Sequence, residues 1–96
     1  MLPKTADIVV IGGGCMGAST AYYLAARGAG TLRVLLLERE KFLGMGSTGR
    51  NAGGVRYQFS TEVNVRLSIF SLDVIARMEE LFGISAAYHP IGYLFL

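Results

Sequence analysis

Six consecutive residues, Gly12-Gly13-Gly14-Cys15-Met16-Gly17, satisfy the spacing G-x-G-x-x-G. The pattern alone is weak. It gains meaning here because an apolar run precedes it, a helix-compatible stretch opens on it, and Glu38 lies 21 residues after Gly17. Gly12 permits a tight turn, Gly14 removes a side chain so that a pyrophosphate can approach the backbone, and Gly17 lets helix and strand pack closely. The start of the helix offers unpaired N–H groups and partial positive charge to phosphates. Glu38 can accept hydrogen bonds from ribose hydroxyls, and its charge repels a 2′-phosphate, which disfavours NADP. Arg39 either borders an adenine or is solvated. Cys15 reads better as a small apolar residue under the pyrophosphate than as a redox-sensitive thiol. The plain alternative is a glycine-rich turn with an exposed Glu.

NAD and FAD share these features. The second constellation, Gly46-Ser47-Thr48-Gly49-Arg50-Asn51-Ala52-Gly53-Gly54-Val55-Arg56, separates them. It follows the ribose carboxylate on the strand-end side, where open α/β sheets bind ligands. Hydroxyls and backbone N–H groups suit a phosphate or a polyol, and Ala52, Gly53 and Gly54 are small enough for a flat ring to lie against the main chain. A simple nicotinamide domain enters its next helix at this point. A flexible surface loop is the alternative.

The elements that must position these residues follow from hydrophobic spacing. Residues 6–11 read as a strand apolar on both faces, as in a covered parallel sheet. Residues 15–27 form an alanine-rich helix with Gly28 as its stop. Residues 32–38 form a second buried strand, and the three make a βαβ unit. Residues 41–54 form a long polar loop, and a helix spans residues 61–82. In that helix Val63, Leu67, Phe70, Val74, Met78 and Leu81 make one stripe, with Thr61 at the N-cap and Gly83 just past the end. Its face is expected to pack in a core. After Tyr88-His89-Pro90, residues 92–96 start another strand. Two core strands and so wide an apolar face imply the N-terminal part of a larger protein, with residues 1–84 in a cofactor domain and 85–96 opening a second.

Composition narrows the class. The 96 residues are 52% apolar and 17% charged, which excludes global disorder. A net charge of +2 with scattered basic residues argues against nucleic acid. Cys15 is the only cysteine, so no intramolecular disulfide or cysteine-rich metal site can form; a reducing, cytoplasmic location fits. Apolar runs are too short to cross a bilayer, and Asp7 with three glycines interrupts any signal-peptide core. No metal site is expected.

Taken together, DIVVIGGGCMGASTAYYLA, LLLERE and GSTGRNAGGVRYQFST resemble the N-terminus of the FAD-dependent glycine/D-amino acid oxidase family, which includes sarcosine oxidases and dimethylglycine dehydrogenase-like enzymes. The resemblance covers Asp7 to about Phe82. It implies an α/β, Rossmann-type FAD-binding domain (a βαβ unit plus the following helix), truncated at the start of a mostly antiparallel substrate domain. It also implies oxidation of a C–N bond in a small amine or amino acid by hydride transfer to flavin N5, with hydrolysis of the imine. Gly12, Gly14 and Gly17 match the pyrophosphate turn, with Gly13, Cys15 and Met16 inside it. Glu38 matches the ribose ligand and Arg39 its basic neighbour. Ser47 and Thr48 match a hydroxyl pair at the phosphate and ribityl region, and Ala52, Gly53 and Gly54 the backbone passing the flavin. Arg50, Asn51, Arg56 and Gln58 are near-site candidates. The substrate clamp comes from later residues in that family, so no catalytic residue is assigned here. A homo- or hetero-oligomer fits. The rival readings are an NAD-dependent or other flavin enzyme on the same fold, or a non-catalytic FAD-holding subunit or remnant.

Overall fold

The computed structural model describes residues 2–96. They divide into two compact units, the first running to Ala52 and the second Gly53–Leu96.

In the first unit, strand β1 (Ile8–Ile11), helix α1 (Cys15–Gly28) and strand β2 (Val34–Leu37) form the expected βαβ unit. The strands are parallel, in register from Ile8↔Val34 to Ile11↔Leu37. Both coincide with the aliphatic runs and are shorter than the expected ranges 6–11 and 32–38, with side-chain bonds at the ends. At the start, the Asp7 carboxylate accepts the Arg33 N–H at 2.7 Å and the guanidinium at 3.2 Å. The Arg33 guanidinium, followed by its N–H, holds the Asp7 carboxyl below the usual carboxylate range. At the far end the Gly12 N–H still reaches the Leu37 carbonyl at 2.8 Å, but the Glu38 side chain turns to the glycine turn instead of extending the strand.

Helix α1 ends one residue later than expected. Gly28 is not its stop but its last helical residue, and Ala29 takes the left-handed conformation, φ 46°. Gly28 is needed for a different reason: it is buried, and a Cβ there would stand 2.8 Å from the Leu32 Cβ. A close approach of the returning chain, rather than helix termination, selects glycine.

The polar segment after β2 is not wholly irregular. It contains one helical turn, α2 (Ser47–Arg50), too short to leave a periodic signature.

In the second unit the expected single helix is two, α3 (Glu62–Ala76) and α4 (Met78–Phe82), broken at Arg77, whose φ and ψ are −102° and 14°. Arg77 carries a cluster of exposed ion pairs. The Arg77 guanidinium donates to Asp73 at 3.1 Å and in a fork to both oxygens of Glu80 at 3.1 Å. The apolar stripe continues on both sides of the break, so hydrophobic spacing cannot report it. Thr61 is extended at the N-cap position without a side-chain cap bond. Gly83 closes α4 as expected, φ 74°, its N–H on the Glu79 carbonyl. The strand expected over residues 92–96 does not form, and the sheet among the described residues is the β1–β2 pair.

No apolar side chain is buried among the described residues. Along the stripe, Val63, Leu67 and Phe70 remain more than half exposed. No helix is long and apolar enough to cross a membrane.

Candidate functional site

The β1–α1 turn is the centre of the site. Gly12 has φ 103°, a conformation that side-chain-bearing residues rarely adopt, and the space where its Cβ would sit is open. Gly17 sits where helix and strand meet: a Cβ there would fall 1.8 Å from the Gly12 carbonyl oxygen. Gly14 precedes α1 in an extended conformation and has no side chain to cap the helix. Cys15 and Met16 form the first turn of α1, both exposed.

Glu38 leaves the end of β2 and reaches across to this turn. Its Oε2 accepts the Gly13 N–H at 2.7 Å and its Oε1 the Glu40 N–H at 3.0 Å. These two bonds, the Glu40 one first, hold its carboxyl below the usual carboxylate range. The Arg39 charge adds to them, against a small desolvation effect. The carboxylate is thus fixed by main-chain donors at the edge of the turn, with lone pairs to spare. Arg39 is exposed and pairs with Glu40 at 3.2 Å.

The segment after β2 folds back over the turn. The Gly44 N–H donates to the Gly13 carbonyl at 3.0 Å, and the Cys15 N–H donates to Thr48 Oγ1 at 2.9 Å. The Asn51 side chain donates to the Thr48 carbonyl. Between turn and segment lies a hollow of about 340 Å³, lined by Gly12–Gly14, Glu38, Arg39, Ser47, Thr48 and Arg50, and also by Glu40, Met45 and Gly46.

Most of the sequence-predicted residues of the first unit therefore meet in one place. Cys15, Met16 and Gly17 do not line the hollow; they form the first turn of α1 beside it. Asn51 and Ala52 lie just beyond it, Asn51 acting on the Thr48 carbonyl. Gly53 and Gly54 belong to the second unit, in irregular backbone, where the Arg56 guanidinium stacks 5.0 Å from the Phe59 ring centre. Glu40 and Met45 were not legible as site residues. For Glu40 a signal existed: a carboxylate two residues before a free N–H readily bonds it. Met45 carries none. No group of His, Cys, Asp and Glu able to hold a metal occurs among the described residues.

The profile of the DAO family, FAD-dependent oxidoreductases, matches residues 7–96. The "FAD-dependent oxidoreductase domain-containing protein 1" of Xenopus laevis is 39% identical over 98% of this chain and 20% of its own length. Mitochondrial sarcosine dehydrogenase of Mus musculus is 40% identical over 99% of this chain and 10% of its own length. Mitochondrial dimethylglycine dehydrogenase of Rattus norvegicus is 40% identical over 91% of this chain and 10% of its own length. The chain spans about a fifth or less of the length of these relatives. No solved structure matches it significantly.

Proposed function

Because the chain belongs to the DAO family of FAD-dependent oxidoreductases, we propose that it is the cofactor-holding part of an enzyme that oxidises the C–N bond of a small amine or amino acid. Its cofactor is FAD, which removes the NAD-dependent alternative. The observation that carries the reading is the single hollow gathering the Gly12–Gly14 turn, the Glu38 carboxylate and the Ser47–Thr48 hydroxyls.

The residues present fit the adenosine-diphosphate half of FAD. The open face of Gly12 admits a phosphate against the main chain, and the first-turn N–H groups of Met16 and Gly17 have no acceptor within the helix. The spare lone pairs of Glu38, which lines the hollow, suit the ribose hydroxyls, which donate. Arg50 supplies positive charge on the same rim. Ala52, Gly53 and Gly54 are assigned to the backbone beside the flavin. When bound, FAD supplies a two-electron acceptor for the hydride on the carbon next to the substrate nitrogen. The part of these residues is to bind and orient, and no catalytic group is assigned among them. Relatives named for sarcosine, dimethylglycine and 4-methylaminobutanoate favour an N-methylated substrate.

The test is to purify the complete gene product, record its visible spectrum, and offer N-methylated amino acids, D-amino acids and glycine anaerobically. We expect a yellow protein whose flavin band bleaches with at least one N-methylated compound, with formaldehyde released as the resulting imine is hydrolysed. A protein that holds FAD but is bleached by none of these amines would overturn the substrate class. One that takes up no FAD would overturn the site.

A further inference from the structure

We propose that Thr48 is a positioning residue that acts through the start of α1: it ties the second glycine-rich segment to the pyrophosphate turn and so gives the FAD hollow its shape before the cofactor arrives. The proposal rests on the FAD reading of the site. Helix α1 starts without a side-chain cap of its own, because its N-cap residue is Gly14. The missing acceptor comes from 33 residues away, where Thr48 Oγ1 takes the Cys15 N–H at 2.9 Å. Thr48 is half-buried while Ser47 beside it is exposed, so the two hydroxyls are not equivalent.

Two further observations place Thr48 in a clip rather than on a free loop. The Gly44 N–H holds the Gly13 carbonyl at 3.0 Å, so the segment is joined to the turn at both ends. Gly14 faces Thr48 closely, since a Cβ at Gly14 would stand 2.9 Å from Oγ1. The Cys15 N–H is consequently not available to a phosphate, and anion contact passes to the later donors of the first turn and to the hydroxyl proton of Thr48. A hydroxyl has one proton to donate and two lone pairs. Accepting from Cys15 orients Oγ1 and leaves its own O–H for the hollow.

The position of Cys15 allows the bond to be removed from the helix side. It is the first helical residue, where proline is tolerated, and Gly14 at φ −78° and ψ −174° has the extended backbone that proline requires before it. The experiment measures FAD affinity of the complete gene product, reconstituted from apoprotein, for wild type, Thr48→Ser, Thr48→Ala, Cys15→Ala, Cys15→Pro and the Thr48→Ala/Cys15→Pro double variant, with circular dichroism as the folding control. We expect Thr48→Ala to weaken FAD roughly 3- to 10-fold, and Cys15→Pro to do the same relative to Cys15→Ala. The double variant should lie within about twofold of the weaker single, because both remove one bond. Thr48→Ser, which keeps the hydroxyl, should restore binding. Effects that multiply in the double variant, or a Cys15→Pro equal to Cys15→Ala, would show that Thr48 acts only as a direct ligand and overturn the proposal. A Thr48→Ala equal to wild type would overturn it as well. Failure of wild type to take up FAD would instead strike the site reading on which it rests.

Discussion

Gly17→Ala is expected to cost the complete protein about 3 kcal/mol, the upper end of what overpacking costs, and most of its bound FAD. A Cβ at this position would fall 1.8 Å from the Gly12 oxygen and 3.0 Å from the Gly12 carbonyl carbon. Both atoms are main chain, so no rotamer change relieves the overlap, and either β1 or α1 has to shift. Moving β1 at Gly12 breaks the bond from its N–H to Leu37, the last rung of the parallel ladder. Moving α1 carries the first-turn donors and the Cys15–Thr48 bond with it. Gly12→Ala is expected to be milder in the melt, since no protein atom lies within 4 Å of the added carbon and the backbone burden is the φ of 103°, while its flavin content should still fall because the carbon takes the face proposed for the phosphate. Thermal melts and flavin per protein, measured in parallel for both variants, check the order. A Gly17→Ala protein that melts and holds flavin like wild type would refute the packing of helix on strand.

Glu38 should give the second large effect, read in FAD retention. Its carboxylate serves two main-chain donors at once and is proposed to serve the ribose as well. Glu38→Ala removes all of these and should weaken FAD on the order of 10- to 100-fold. Glu38→Gln should not rescue it, because an amide has one accepting oxygen for two N–H groups and turns its own N–H toward the other. The pH dependence carries the same signature. The carboxyl is held below its ordinary 4.5, so the folded form gains from ionisation above that pH. The gain is lost only as pH falls through the lowered value. FAD retention attributable to Glu38 should therefore stay flat from neutral pH to about 4.5 and decline below, and the decline should be absent in Glu38→Gln. Equal retention in both proteins across that range would remove Glu38 from the site.

The parts of this architecture legible in the sequence are those set by local spacing. The G-x-G-x-x-G turn, the two apolar runs and the acidic end of the second strand place Gly12, Gly14, Gly17 and Glu38 without reference to anything distant. Ser47 and Thr48 were legible by type, but not the bond from Cys15 to Thr48, which joins residues far apart in the chain and leaves no periodic trace. Gly28 was misread because a glycine after a helical run looks the same whether selected by a left-handed conformation or by a close neighbour. Only the structure brings Leu32 against it. The break at Arg77 is likewise hidden in the sequence, since the apolar stripe runs on through it. Residues 92–96 show the limit of β-propensity: a short apolar and aromatic run is not by itself a strand, which also depends on its neighbours.

The short parallel pair has a further consequence for handling the protein. β1 and β2 are each four uncharged aliphatic residues, and among the described residues each has an open edge on which a foreign strand could add. The charges that bound them are Asp7 before β1, and Arg33 and Glu38 on either side of β2. Such flanking charges act as gatekeepers against aggregation. The residues that set the register and dress the cofactor hollow are thus also those that keep two sticky segments apart in solution. Removing Glu38 takes away the charge at the exit of β2 along with the ribose acceptor, so its variants will aggregate more readily as they unfold, and soluble yield has to be measured separately from flavin content.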